Sequence, residues 1–396
     1  MSKRQSNGDD KAAKKKKVRF DTVAKKKKDE TIRFTGAKSL RARLMLATLA
    51  KRRIVISGIR EHTEVPGVTN DEACFVRLLD KLSSGSKIEI NETGSVLTYE
   101  PGYLVGGRVE HDCSRCQRGV GWFLECVLPM APFCATAIEL TLLGVTSGGK
   151  TWRSADAIKH VSLHAIRDFS VECDLQIARR QASGPGIKEP PGKVVLTCEP
   201  KRQLEPIDLE DEGLVKNVRG VAYCARVAPA LANRVVAAAR GHLNKLVSDV
   251  RITTDAATRR NSADASGFGV LLVAESTTGR KIGVDLDASW ALPEGDKSPE
   301  RLGELAALSL AAEIAKAGAF DTNNQALVLT MMALGPDFVS IARLPGPLSQ
   351  PAVDRLRLLD TFFSLRFKID QQKDHHDTVR CVCLGASYAN VAKPAT

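Results

Sequence analysis

The chain has 396 residues, 43% apolar and 26% charged, which fits a globular protein with room for two or three domains. No apolar run reaches the ~18 residues of a membrane span, and the lysine-rich N-terminus lacks the apolar stretch of a secretory signal. The net charge is +12, but residues 1–30 hold twelve Lys/Arg against five Asp/Glu, a net of +7, so the other 366 residues carry only +5. Any basic surface on the body must therefore be local. Ten cysteines scattered over this length are expected to be reduced, intracellular thiols rather than a disulfide framework.

Residues 1–30 cannot bury enough apolar surface to offset their ordering entropy, so they are expected to be disordered. Their blocks Lys14–Lys17 and Lys25–Lys28 read as a nuclear or nucleolar address that also meets phosphate backbones. The globular part begins at Ile32. LRARLMLATLA, residues 40–50, has helical spacing, and Arg53–Arg60 is β-branched and strand-like. A second helix follows at Glu72–Leu82. Lys87–Ile90 and Ser95–Tyr99 read as a hairpin around Asn91–Gly94.

Tyr99–Phe133 has the densest pattern of turns and apolar residues. Pro101-Gly102 and Gly106-Gly107 bracket a short apolar run. Gly119-Val120-Gly121 opens a buried helix or strand that Pro129 and Pro132 end. Further on, strands are expected at Ile138–Leu143, Lys193–Cys198, Gly269–Glu275, Phe338–Ala342 and Arg366–Ile369. Helices are expected at Ala155–Phe169, Glu300–Lys316, Asn324–Leu334 and Val353–Phe363. Arg179–Gly192 is a long Gly/Pro loop expected to be mobile. Residues 201–265 read as a small inserted α/β domain, with strand Val215–Arg226, helix Ala230–Leu246 and strand Val250–Thr254. This divides the chain into a basic tail (1–30), a large domain in two parts (31–200 and 266–387), the insert (201–265) and a frayed end (388–396).

The order of several long words resembles the RNA 3′-terminal phosphate cyclase superfamily, and most closely its cyclase-like branch, the nucleolar ribosome-biogenesis proteins of eukaryotes. The words are PGYLVGG (residues 101–107), HDC (111–113), GVGWFLECVL (119–128) and APF (131–133). RGVAYCARVAPALANR (Arg219–Arg234), GFGVLLVAESTTG (Gly267–Gly279), Phe320–Gly335 and Phe362–Ile369 continue the match. The resemblance implies an α+β fold, with a large domain of three repeated βα units (two helices on a four-stranded sheet each) and a small α/β insert domain. It also implies pre-rRNA, a Bms-type nucleolar GTPase and small-subunit processome components as partners. The work would be 18S rRNA maturation in the nucleolus, with no membrane partner.

True cyclases adenylylate a histidine, and three of their motifs are altered here. The acidic-glycine turn EGGGQ-x-LR is FTGAKSLR at Phe34–Arg41. The DE-x-L-x-DQ run is Asp321–Ala326, poorer in acid. The H-x-x-T segment is matched by Ser349–Asp354, which has no histidine to form the phosphoramidate. No catalytic residue, cofactor or metal is therefore expected, and the reading is a non-cyclising protein, with a pre-rRNA endonuclease as the alternative. One C-x-x-C, Cys113–Cys116, sits beside His111, but a zinc site needs a fourth ligand. His375, His376, Cys381 and Cys383 read as a solvated tail and a strand. The site expected is an anion pocket for RNA backbone, with Lys38, Arg41, Arg43, Arg60, Arg108, Arg355 and Arg357 as candidates. The resemblance makes Arg41 and Arg60 the transferable pair.

Overall fold

Three stretches of the chain build sheets of the same connectivity. The computed structural model describes residues 31–183, 189–258, 261–372 and 377–392. The expected basic tail, the tip of the Gly/Pro loop at 184–188, His375 and His376, and the last four residues lie outside the described residues. The first stretch runs β1 (Ile32–Thr35), α1 (Leu40–Ala50), β2 (Ile54–Ser57), α2 (Asn70–Leu82), the two-residue β3 (Ser83–Ser84), β4 (Lys87–Ile90) and β5 (Leu97–Glu100). β1 and β2 pair in parallel, β5 is antiparallel to β2, and β4 is antiparallel to β5.

β6 (Tyr103–Leu104) pairs with β3 and leads into the second stretch. This comprises β7 (Gly107–Asp112), α3 (Val120–Val127), β8 (Ile138–Leu143), α4 (Ala155–Ala157), α5 (Leu163–Arg167), β9 (Cys173–Arg179) and β10 (Lys193–Cys198). Its sheet has the order β7-β8-β10-β9, with the same parallel and antiparallel relations as the first. A π-helical turn over Ile158–Ser162 joins α4 to α5, so the helix expected at Ala155–Phe169 is interrupted.

β11 (Asp208–Leu209) opens the third sheet, and the chain then leaves it. It builds β12 (Val215–Ala225), α6 (Ala230–Leu243), β13 (Val250–Ala257), β14 (Gly267–Ser276), β15 (Lys281–Asp287), α7 (Ala288–Ala291) and α8 (Pro299–Ala315). It returns with α9 (Gln325–Ala333), β16 (Val339–Pro345), α10 (Gln350–Phe363), β17 (Lys368–Gln372) and β18 (Thr378–Leu384), giving the order β11-β16-β18-β17.

The sheet β13-β12-β14-β15 corrects the expected insert. β14 pairs along β12 from Ser276↔Val215 to Gly267↔Ala225, and α8 packs on α6. A boundary at residue 265 would cut this sheet, because its second half comes from residues placed in the large domain. Its start moves as well, since Asp208 and Leu209 pair with Ile341 and Ala342 of the third sheet. The inserted unit has its own core, including Val235, Ala239, Leu243, Leu302, Ala306 and Leu310. α6 and α8 cross closely at Gly303, where a Cβ would fall 2.4 Å from the Val235 carbonyl oxygen.

A second hydrophobic core runs through all three similar units, taking Leu44, Phe75, Phe123, Leu140, Met332 and Leu359. Local chemistry sets its helices. Thr69 and Glu72 form a reciprocal capping box that starts α2, worth ~1 kcal/mol. Cys74, Phe75, Leu78, Leu79 and Leu82 then supply its buried stripe.

Ion pairs fix the inserted unit on the second one. Arg180 grips Asp156 through both carboxylate oxygens at 2.7 and 2.9 Å, and its Nε donates to Asp255 at 2.7 Å. Arg280 pairs with Asp168 at 2.6 Å, and Ser154 N–H donates to Asp285 at 2.8 Å. Ala157 and Val161 pack on Leu271 and Val273 between these links.

Two further expectations need correction. The end beyond Ser387 is docked: Tyr388 stacks edge-on against Phe133 with centroids 4.5 Å apart, and buried Asn390 donates to the Cys134 carbonyl at 2.7 Å. At the described ends of the Gly/Pro loop, Gln181 accepts from Gly192 N–H at 2.7 Å and its own N–H donates to Thr146, while the tip lies outside the described residues. Of the ten cysteines, Cys173 and Cys198 face each other on β9 and β10 and form a disulfide, while the other eight are free thiols.

Candidate anion-binding site

Lys38 lies in the turn from β1 into α1, Arg41 and Arg43 lie on α1, and α10 packs beside α1 with Arg355 and Arg357. Two carboxylates organise these five cations. Asp354 of α10 accepts from Lys38 Nζ at 2.9 Å and lies 3.8 Å from Arg357. Glu125 of α3 lies 3.5 Å from Arg41.

α3 can reach this place because Gly121 has no side chain. A Cβ there would collide with the Arg153 carbonyl oxygen. The helix thereby presents Trp122, whose ring lies 3.8 Å from the Arg41 guanidinium carbon and whose carbonyl accepts from Arg41. Burial pushes the Glu125 carboxyl up, against the pull of Arg41 and Arg153.

The five cations differ in availability. The Lys38 and Arg357 side chains are 60% and 72% exposed and form the rim. Arg41 is 19% exposed and faces inward. Arg43 is buried, donates to the Gly36 carbonyl at 2.6 Å and lies over Phe34 at 4.6 Å, and burial lowers its pKa. Arg355 donates to Thr330 at 2.7 Å, and burial lowers its pKa too. Five cations against two carboxylates leave an excess of three positive charges. Such a group can hold phosphate oxygens by charge-assisted hydrogen bonds.

The other two candidates lie apart from this group. Arg60 is locked by a two-pronged pair with Glu72 at 2.8 and 2.7 Å and by the Gly67 carbonyl at 3.0 Å. Its guanidinium holds the start of α2, so Arg41 and Arg60 are not joined in one grip. Arg108 is 87% exposed and pairs with Glu139 across β7 and β8 at 3.4 Å. Neither shares a hydrogen bond or ion pair with the α1–α10 group among the described residues. A concavity of about 750 Å³ at Cys173, Cys198 and Lys201 is lined by none of the seven candidates.

The altered catalytic segments have structural work instead. Ser349 sits at the N-cap position of α10 without a side-chain cap, its N–H donating to Gln325, and Gln350 and Pro351 open the helix. Asp321 is 1% exposed, pairs with Arg153 at 3.2 Å and caps the turn before α9. Gln325 bridges Pro345 and Ser349. The thiol nearest the cations, Cys126, is raised by burial and so is a poor nucleophile.

The C-x-x-C beside His111 acquires a neighbour that sequence spacing does not announce. Cys74 of α2 lies with its Sγ 3.1 Å from His111 Nε2. The neighbouring Cys113 and Cys116 thiols hold the Cys74 thiol far below its usual value, and Cys74 with burial raises the other two.

A family model described as RNA 3′-terminal phosphate cyclase matches residues 32–369. The chain belongs to the RNA 3′-terminal phosphate cyclase family. Within it, the chain is 40% identical to the human RNA 3′-terminal phosphate cyclase-like protein over 374 residues, covering 92% of this chain and 98% of that one. It is 36% identical to the fission yeast rRNA processing protein rcl1 over 365 residues, covering 91% and 97%. The probable cyclase-like protein of Arabidopsis thaliana is 32% identical, covering 91% and 98%. These relatives support the cyclase-like branch, and the mixed α+β fold is consistent with the family.

Proposed function

We propose that this chain is a non-cyclising member of the cyclase-like branch that binds pre-rRNA and acts in rRNA processing. The finer reading is 18S rRNA maturation in the nucleolus, within the small-subunit processome and alongside a Bms-type GTPase. One observation carries the non-cyclising part: the segment matching the nucleophilic histidine is the start of α10, and its one ionisable side chain, Asp354, is tied to Lys38. The fission yeast relative's name supports the rRNA assignment. The cationic group on α1 and α10 supports phosphate binding without chemistry, with Lys38 and Arg357 meeting the RNA backbone first.

Filter binding of a single-stranded pre-rRNA fragment across a salt series tests this. Each phosphate contact on a single strand contributes ~0.7 to the slope of log K against log salt. Replacing Lys38 and Arg357 together by Ala should therefore lower the slope by about 1.4, and an unchanged slope would remove the site. Incubation with radiolabelled ATP should leave the protein unlabelled; a covalent adenylyl group would overturn the non-cyclising reading. Cleavage of the fragment by pure protein, lost in folded variants, would replace binding with endonuclease activity.

A further inference from the structure

Cys74, His111 and Cys113 are all buried, and their ligand atoms lie within 4.8 Å of one another. Cys116 follows three residues after Cys113 on the same turn and is half-buried, outside that trio. Two thiols and an imidazole supply three of the four donors that a tetrahedral structural zinc site takes, and Cys116 is the thiol on the same turn that could supply the fourth. On a tetrahedral ion with bonds of ~2.3 Å to sulfur and ~2.0–2.1 Å to nitrogen, the ligand atoms stand about 3.5–3.8 Å apart. The 3.1 Å contact and the 4.8 Å limit bracket that spacing.

Three further features point to an ion. His111 is 4% exposed and turns its Nε2 to the Cys74 Sγ at 3.1 Å. Next, the chain between Cys113 and Cys116 is already folded into a turn, with Cys116 N–H donating to the Cys113 carbonyl at 3.0 Å. It is anchored below by Cys113 N–H to Leu143 at 2.7 Å. Finally, α2 is held against this turn from its other side, because Asp71 accepts from Gln117 N–H at 2.9 Å and lies 3.7 Å from Arg118. The donors are thus positioned by backbone rather than by mobile side chains.

We infer that Cys74, His111, Cys113 and Cys116 form a structural Zn²⁺ site that clamps α2 of the first unit to the β7–α3 turn of the second. The thiols bind as thiolates, and their protons leave to solvent as the ion enters. All four positions are protein donors, which leaves no open coordination site, so the role is structural. The clamp holds the helix whose first turn carries Glu72, the partner of Arg60.

The test uses the full chain, expressed with zinc and purified without chelator. Elemental analysis should give one zinc per chain. Exchange for Co²⁺ should give the visible bands of a tetrahedral ion and the near-ultraviolet charge-transfer band of thiolate ligands. Cys116→Ser should weaken the charge-transfer band from three thiolates to two, and Cys74→Ser should remove most of the metal. Cys126→Ser, a buried thiol outside the cluster, should keep both signals. Should Cys74→Ser fail to fold, the cobalt spectrum of the unaltered protein still decides. Folded protein that takes up neither metal, metal retained in folded Cys74→Ser, or a Cys74–Cys113 disulfide under anaerobic purification would each overturn the assignment.

Discussion

Arg180 joins the inserted unit to the second one, and its removal tests how that joint is held. Asp156 is 2% exposed, so without Arg180 its carboxylate stays buried with no cation. Asp255 is 49% exposed and would recover most of its solvation from water. The cost therefore comes chiefly from the Asp156 half, and breaking a buried pair by losing one partner costs ~3–5 kcal/mol. Burial pulls the Arg180 guanidinium down, yet the two carboxylates overcome this and raise its pKa, so it stays charged at any working pH. At ~2.1 cal/mol/K per residue over the folded body, Arg180→Met should lower Tm by about 4–7 °C by calorimetry. The shift should persist in 1 M salt, because buried pairs are poorly screened. Combining Arg180→Met with Asp156→Leu should recover most of the loss, since the buried charge goes with its partner. A drop under about 1 kcal/mol, or a double variant that loses the sum of both singles, would refute the reasoning.

Other outcomes follow from particular contacts. Burial lowers His160, and burial also lowers His164 against a hydrogen bond to the Gly279 carbonyl, so both bind fewer protons when folded than when unfolded. Their stabilisation is complete above the unfolded value of ~6.5 and is lost as pH falls below it; His164→Gln should flatten urea midpoints measured between pH 7 and pH 5. Gly303→Val should cost ~1–3 kcal/mol in urea unfolding, although Gly is the poorer helix former, because the new side chain meets the Val235 carbonyl. Asn390→Ala should cost ~1–3 kcal/mol by leaving the buried Cys134 carbonyl unpaired, and an unchanged Tm would mean the C-terminal segment is not docked in solution.

Much of the fold was legible where the determinants are local. The helix at residues 40–50 and the Lys193–Cys198 strand are each set by residues within a few positions of one another. Strands β9 and β15 went unread although both alternate apolar and polar residues, and both stand at sheet edges. The insert boundary was missed for a different reason: whether Gly267–Ser276 belongs to the insert depends on its pairing with residues fifty positions earlier, which spacing does not reveal. At the site, the basic residue types were readable, but their commitments were not. Arg60 looks available in sequence and proves to be bound to Glu72. Cys74 is invisible as a partner of His111 because 37 residues and a sheet connection separate them.

The late completion of the third sheet has a consequence for synthesis. Asp208 leaves the ribosome 133 residues before its partner Ile341, with the whole inserted unit made between them. At ~5–20 residues per second, that is a wait of roughly 7–27 s. The first two units and the inserted unit can close in that time, whereas β11 stands as an unpaired edge until β16 arrives. Nascent chains that stall within the inserted unit therefore expose one lone strand beside an otherwise finished body, the form on which a holding chaperone would act.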